Sequence, residues 1–277
     1  MNIPQQTITM IRHALEEDIG PIDITTSSII PDNMESRALF ISKGNFILAG
    51  IPFIKEVFRI LEPSISLQPF FNEGAKIKKR NIIAEVSGKT HAILQGERVS
   101  LNILQRLSGI ATITNKYVAK LKGLKTKIFD TRKTTPCYRY MEKYAVRIGG
   151  GYNHRFGLYD GIIIKDNHIE AVGSIKKAVE KIKKRNCFNK IEVEVENLYD
   201  LKEALSAGAD IVMLDNMSLK DIKEAIKIVR GRALIEASGN ITLGNIRSIA
   251  EAGVDLISIG KLTHSAIAAD ISLKIVK

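Results

Sequence analysis

Ile191-Glu192-Val193-Glu194-Val195 and Ile211-Val212-Met213-Leu214-Asp215 are the runs whose reading decides the fold. Both are short and rich in branched apolar residues; the second closes on Asp215, and the first carries Glu194 and is followed by Glu196. Lys127-Ile128-Phe129-Asp130, Gly161 to Lys165, Ala233 to Ala237 and Leu256 to Gly260 share their grammar. The last four runs end at positions 195, 215, 237 and 260, and a spacing of roughly 20–23 residues is the period of a strand–loop–helix unit. Amphipathic stretches such as Leu201 to Ala207 and Asp221 to Val229 lie between them, and Ala207-Gly208 and Ala252-Gly253 stand where helix C-caps belong. Repeated βα units predict a parallel sheet, either a barrel or an open doubly wound sheet. No GxGxxG follows a strand, so the dinucleotide fingerprint is missing. A (β/α) barrel is favoured, although six clear runs fall short of the standard eight strands.

The region before these units reads as mixed α and β. Gln5 to Glu17 places Ile8, Ile11 and Leu15 on one helical face. Glu35 to Leu48 is strand-like, a helix follows from Pro52 to Leu61, and Ser64 to Phe71 and Asn81 to Val86 alternate as strands do. Apolar periodicity from Ala92 to Leu121 predicts a long buried helix with a break near Ser108-Gly109. The C-terminal Asp270 to Ile275 alternates polar and apolar, as a strand returning to the first domain would; a frayed tail is the alternative.

With 277 residues, 45% hydrophobic and 26% charged, the chain can bury a large core, which excludes disorder, collagen and a disulfide-stapled miniprotein. The longest nearly polar-free stretch, Phe46 to Ile54, is far below the ~18 residues of a membrane span. Glu16, Glu17 and Asp18 stand where a signal peptide needs apolar residues, so a cytoplasmic location is expected. Cys137 and Cys187 form no CxxC pair, and no Cys/His metal cluster is apparent. The net charge of +11 allows a polyanionic partner. The lysines at 176–177 and 181–184, however, alternate with Ile175, Val179 and Ile182 as a solvated helix face does, and no basic–aromatic alternation supports nucleic-acid binding.

Functional residues of a parallel barrel gather at strand ends. Here those ends read Asp130-Thr131-Arg132-Lys133, Lys165-Asp166-Asn167-His168, Glu194-Val195-Glu196, Asp215-Asn216, Ser238-Gly239-Asn240 and Gly260-Lys261, with His264 close behind. Between the first two, Gly149-Gly150-Gly151 leads into Asn153-His154-Arg155, which reads as a loop closing over an anion. The expected pocket holds Arg132, Lys133, Arg139, His154, Arg155, Lys165 and Lys261 against Glu194 and Asp215. Arginine forks bind carboxylate and phosphate bidentately. So many cations call for a polyanionic ligand, and the two carboxylates suit Mg²⁺ or ribose hydroxyls. The chemistry implied is group transfer between a phosphorylated sugar and a polycarboxylate.

The motifs Ala14 to Gly20, Asp23-Ile24-Thr25-Thr26, Gly96 to Asn102, Asp130 to Pro136, Gly149 to Arg155 and Ile164 to His168 together resemble quinolinate phosphoribosyltransferase, in that family's order along almost the whole chain. The resemblance implies an N-terminal α/β sandwich (1–108, joined by the tail 266–277) and an incomplete (β/α) barrel over 109–265, of about six to seven parallel strands. It implies conversion of quinolinate and phosphoribosyl pyrophosphate to nicotinate mononucleotide, CO₂ and pyrophosphate with Mg²⁺, a step of de novo NAD synthesis. By position, Arg132, His154, Arg155 and Lys165 match the quinolinate pocket, and Arg98 an arginine contributed across a subunit interface. Lys133, Glu194 and Asp215 match the catalytic phosphoribosyl side, where the two acids would hold Mg²⁺ directly or through water or substrate. Ser238, Gly239, Asn240, Gly260 and Lys261 match phosphate loops, with His264 beside them. The implied assembly is a homodimer with shared sites, in some members a hexamer built as a trimer of dimers. One departure is Cys137-Tyr138, where the family pattern has Gly-Leu.

Three other readings compete: a related protein associated with molybdenum transport genes, a nicotinate salvage enzyme, and a basic RNA-binding protein. The complete set Arg132-Lys133, His154-Arg155 and Lys165 speaks against the first. A monocarboxylate would need fewer cations, and an RNA-binding surface would spread them.

Overall fold

The computed structural model describes residues 2–185 and 189–276; Cys187 lies outside them. Two compact units partition the chain. The first comprises Met1–Asn115, Thr134–Gly150 and Leu262–Lys277, and the second Lys116–Lys133 and Gly151–Lys261. The partition keeps the C-terminal tail with the first unit and differs from the expected one by adding 109–115, 134–150 and 262–265 to that unit.

In chain order the first elements are α1 (Gln5–Ile19), α2 (Ile24–Ile29), β1 (Glu35–Ser42), β2 (Phe46–Ile47) and α3 (Ile51–Leu61). They are followed by β3 (Ser66–Pro69), β4 (Lys76–Ile77), β5 (Ile82–Lys89) and α4 (Thr90–Lys120). Next come β6 (Lys127–Phe129), α5 (Arg139–Ile148), β7 (Ile162–Ile164), α6 (Asp166–Val172) and α7 (Ile175–Lys183). The chain then runs through β8 (Ile191–Val195), α8 (Leu198–Ala207), β9 (Ile211–Asp215) and α9 (Leu219–Val229). It ends with β10 (Leu234–Ser238), α10 (Ile246–Ala252), β11 (Leu256–Ser258), α11 (Lys261–His264) and β12 (Ile271–Val276). No helix among the described residues is long and apolar enough to cross a membrane.

The first unit carries an antiparallel sheet in the order β12-β1-β5-β3 and a small β2–β4 ribbon. The C-terminal strand runs beside β1, Arg37 opposite Val276 and Ser42 opposite Ile271. The span 35–48 is two strands rather than one, because the chain turns after Ser42 and Phe46–Ile47 pairs with β4. Phe40, Phe53 and Phe58 are buried at the centre of this unit, with Phe40 meeting Phe58 edge-on at 6.3 Å. Half-buried Glu73 takes the amides of Gly50 and Ile51 at the start of α3 and the hydroxyl of Tyr144 at 2.8 Å.

Helix α4 runs unbroken through Ser108-Gly109, contrary to the expected break. Gly109 serves a close approach instead: a Cβ there would lie 2.1 Å from the carbonyl oxygen of Ile267. The first glycine of the triplet is likewise required by packing. A Cβ on Gly149 would lie 2.6 Å from the carbonyl of Ala111, and Gly150 turns at φ 93.

The second unit is a parallel sheet in the order β6-β11-β10-β9-β8-β7. The sequence order is cyclic, since β6 pairs with β11, while β6 and β7 form the two edges. It is therefore a (β/α) barrel lacking strands, as its short runs suggested. Tyr152 partly fills the seam: it bridges Phe129 in parallel, and its ring stacks on Phe129 at 5.5 Å. Val193, Val195, Val212, Leu214 and Ile257 are buried in this unit.

Two positions should reverse the ordinary glycine rule. Replacing a helical glycine with alanine usually gains about 1 kcal/mol, but Gly109→Ala should lose about 1–3 kcal/mol through overpacking against Ile267. Cys137 sits at φ 65, the left-handed region that favours glycine, the residue the resembled pattern has there. Cys137→Gly should therefore stabilise by up to about 1 kcal/mol, relief of a left-handed side chain exceeding the added unfolded-state entropy. Urea unfolding of both variants checks the signs.

Candidate active site

Parallel strands aim all their C-terminal ends the same way, so the polar strand ends of the sequence converge. A cavity of about 220 Å³ opens there, lined by Arg132, Lys133, His154, Arg155, Lys165, Glu194, Asp215 and Ser238, with Thr131, Ile163, Met213, Glu236 and Ser258 completing it. Eight of the residues singled out from the sequence thus surround one space. Gly239, Asn240 and Gly260 lie just past β10 and β11 at the same strand ends, and Lys261 opens α11 after Gly260. Arg98, Arg139 and His264 belong to the first unit.

Asp130 organises the entry to the cavity. It is fully buried at the end of β6, accepts the His154 amide at 2.8 Å and the Asn153 side-chain amide at 2.6 Å, and so ties the loop before β7 to β6. Asp130, read from the sequence only as part of a strand-end motif, is the anchor that aims His154 and Arg155. Arg155 extends to the carbonyl of Gly161 at 2.9 Å. Burial and the neighbouring charge of Arg132 hold its guanidinium below the usual value, with Glu192 pulling the other way. Lys165, the residue before α6, is paired with Glu194 through its ammonium.

At the far rim, two turns lock together. Gly239 has φ 83, and a Cβ there would lie 2.1 Å from Oδ1 of Asn216. Asn216 and Asn240 both adopt positive φ, and the Asn240 amide donates to Asn216 Oδ1 at 2.9 Å. Asn216 also donates to Asp215 at 2.8 Å, which holds that carboxylate at the end of β9. The glycine is required by close approach of the two turns as well as by its backbone angle.

Below the rim the interior departs from expectation. Barrel interiors are filled mainly by branched apolar side chains, yet Glu192 and Glu236 are buried here, 3% and 0% exposed. Each lies two residues before a rim residue on its own strand, Glu194 and Ser238, and strand alternation puts each pair on one face. His154 Nε2 lies 3.3 Å from Glu192 and 3.4 Å from Glu236, while its Nδ1 accepts the Arg155 amide at 2.9 Å. Burial opposes a charged His154, but the two carboxylates beside Nε2 outweigh it, so the three groups together hold on to a proton. Burial, joined by the charge of Glu236, also raises Glu192 against the pull of His154. Nδ1 accepts, so the ring is neutral with its one hydrogen on Nε2, and the further proton that the three groups retain lies on the carboxylates, in keeping with the raised Glu192. No Cys/His pattern marks this group, and its one sequence signal is the i, i+2 alternation Glu192/Glu194 and Glu236/Ser238.

An incomplete parallel barrel whose strand ends crowd cations and carboxylates around one cavity defines an enzyme class handling small polyanions. The family is settled by comparison. The chain matches the quinolinate phosphoribosyl transferase N-terminal domain over residues 23–108 and the C-terminal domain over 110–274. It belongs to the quinolinate phosphoribosyltransferase family. It is 45% identical over 267 residues to the probable nicotinate-nucleotide pyrophosphorylase (carboxylating) of Bacillus subtilis, covering 96% of this chain and 92% of that one. The corresponding probable enzyme of Methanocaldococcus jannaschii is 43% identical over 280 residues, covering 98% and 97%. Among solved structures, the nicotinate-nucleotide pyrophosphorylase of Francisella tularensis superposes with a TM-score of 0.93 at 43% identity, covering 99% of this chain and 98% of that one.

Asp130→Asn should cost about 1–3 kcal/mol, because an amide offers one acceptor oxygen where the carboxylate serves two buried donors. Thermal unfolding reads the loss, which should exceed that of an exposed control such as Asp221→Asn.

Proposed function

We propose that the protein transfers the phosphoribosyl group of phosphoribosyl pyrophosphate to quinolinate with decarboxylation, yielding nicotinate mononucleotide, CO₂ and pyrophosphate for NAD biosynthesis. The observation that carries this reading is the single cavity in which Arg132, Arg155 and Lys165 face Glu194 and Asp215, in a chain of this family. Cations gathered around one cavity suit a small polyanion better than an extended RNA. The cytoplasm is the proposed compartment.

Two planar carboxylates on one ring suit the Arg132 and Arg155 guanidinium forks and the Lys165 ammonium, with His154 lining the same space. Holding the ring by both carboxylates fixes its nitrogen for attack on the ribose C1, and such orientation can contribute several kcal/mol. Lys133 is placed to stabilise charge developing on the departing pyrophosphate. Glu194 and Asp215 offer acceptors for ribose hydroxyls and favour the cationic ring. The turns at Ser238-Gly239-Asn240 and Gly260-Lys261 supply backbone N–H groups and a cation for the 5′-phosphate. Decarboxylation next to the ring nitrogen is then favoured by the pyridinium charge.

Mg²⁺ fits this donor set, since Glu194 and Asp215 are hard oxygen ligands on neighbouring strands, and the ion commonly takes one or two carboxylates plus substrate phosphates. Bound there, it would neutralise pyrophosphate charge. The Lys165–Glu194 pair supports a linked arrangement, because a quinolinate carboxylate on Lys165 releases Glu194 toward the sugar.

Formation of nicotinate mononucleotide from quinolinate, phosphoribosyl pyrophosphate and Mg²⁺ tests the activity; nicotinate in place of quinolinate should give none. Arg132→Ala or Lys165→Ala should weaken quinolinate binding roughly 10- to 100-fold, the worth of one charge-assisted hydrogen bond. Glu194→Ala and Asp215→Ala should depress turnover and phosphoribosyl pyrophosphate affinity more than quinolinate affinity. Steady-state kinetics and calorimetry separate the two patterns, and the reverse assignment would contradict the division of labour.

Arg98 is proposed to complete a partner's quinolinate site within a homodimer, in which a two-fold axis makes such exchange reciprocal; assembly of dimers into a hexamer is compatible with it. Mixing inactive Arg98→Ala with inactive Lys165→Ala should restore partial activity, since a heterodimer holds one intact site. No recovery, with subunit exchange demonstrated by mass spectrometry, would assign Arg98 to its own chain.

A further inference from the structure

We infer that Glu192 and Glu236 are positioning residues for the quinolinate pocket, acting through His154, and that His154 itself orients Arg155 rather than donating to the substrate. The inference rests on the proposed quinolinate reading of the site and deepens it.

Both ring nitrogens of His154 are committed to the protein. Nδ1 receives the backbone amide of Arg155 at 2.9 Å, so it carries a lone pair, and the ring hydrogen belongs on Nε2. Nε2 faces both acids, 3.3 Å from Glu192 and 3.4 Å from Glu236, so its one hydrogen lies in the field of two carboxylates without forming a full hydrogen bond to Glu236. A neutral imidazole has one donor and one acceptor, and here each has a protein partner. The His154 amide is held separately by Asp130 at 2.8 Å. The ring and the main chain of this residue are therefore fixed from two sides, with the Arg155 amide between them.

The two acids need His154 as much as it needs them. Glu192 Oε1 and both oxygens of Glu236 are buried without a hydrogen-bond partner, and buried acids persist only beside a compensating donor or charge. They also set the tautomer, in the way an outer carboxylate commonly fixes a functional histidine. A divalent metal shared by the three groups, whose ligand atoms all lie within 4.8 Å of one another, would need the Nε2 lone pair. The hydrogen would then move to Nδ1, against the Arg155 amide. The geometry assigns hydrogen, not metal, to this position.

Removing the charge of Glu236 frees the imidazole to turn, and Arg155 loses its fixed approach. Glu236→Gln should raise the quinolinate KM about tenfold or more, in the range of outer-shell substitutions, with kcat and the phosphoribosyl pyrophosphate KM changed less than about threefold. His154→Gln, which keeps a donor toward the acids but not the Nδ1 acceptor, should have a similar effect. The double variant should be no worse than the singles, since both act by one route. Unchanged quinolinate KM in Glu236→Gln, or multiplying effects in the double variant, would overturn the inference.

Wild-type protein supplies a second measurement that does not depend on a variant folding. In ¹⁵N-histidine NMR spectra the His154 signal, identified by comparison with His154→Gln, should report an Nε2–H tautomer that quinolinate leaves unchanged. A shift of hydrogen bonding at either ring nitrogen on adding quinolinate would make His154 a direct ligand and overturn the inference. A stoichiometric divalent metal in dialysed protein, lost in Glu236→Gln, would overturn it as well. Wild-type turnover of quinolinate stands as the separate control: its absence would remove the proposed activity, whereas normal wild-type turnover with unaffected variants would remove only the positioning role.

Discussion

Charge balance at one end of an incomplete barrel is the constraint on which the site depends. Parallel strands deliver their terminal side chains to a common mouth, and here Arg132, Lys133, Arg155 and Lys165 arrive together. Their mutual repulsion is visible in Arg155, which burial and Arg132 hold below its usual value. Acids answer at two depths. Glu194 and Asp215 stand at the rim, and Glu192 and Glu236 lie one inward-facing layer lower. At Lys165, whose partner Glu194 is already in place, an incoming carboxylate would exchange one partner for another instead of meeting an isolated charge in a low-dielectric space.

Rigidity of the connecting turns follows from equally local causes. Asp130 captures two donors of the loop before β7, and Tyr152 stitches that loop to β6 across the open seam. On the other side, the turn after β10 rests on the turn after β9 through Gly239, Asn216 and Asn240. In the first unit, buried Glu142 binds Arg106 at 2.8 Å and the amide and hydroxyl of Thr135, which steadies the chain just beyond Lys133. Orientation of a bound ring requires fixed donors, and the bonds of Asp130 remove freedom from the segment that carries His154 and Arg155, both of which line the cavity.

Much of the architecture was legible before folding was considered. The βα units show as apolar runs at regular spacing, because a buried parallel strand needs little but branched side chains and its helix needs a 3.6-residue period. The errors have physical explanations. Gly109 resembled a helix break, since intrinsic propensity says nothing of a carbonyl from residue 267 passing 2.1 Å from the place of its Cβ. Gly149 is small because α4 crowds it, a cause that no local pattern shows. The two-residue strands β2 and β4 are too short to carry a pattern, and they exist only as each other's partners.

The sequence by itself determined which residues end the strands and therefore which charges could meet, because alternation and run length are properties of neighbours along the chain. Only the tertiary structure decided how those charges were satisfied. Pairing of β6 with β11 brings distant segments around one axis, and strand direction then stacks Glu192 and Glu236 beneath the rim. Burial at that depth leaves both acids dependent on His154, a residue of the loop that Asp130 ties to β6. No spacing in the chain encodes that dependence, because it arises from the loss of water around groups that folding alone brings within reach of one another.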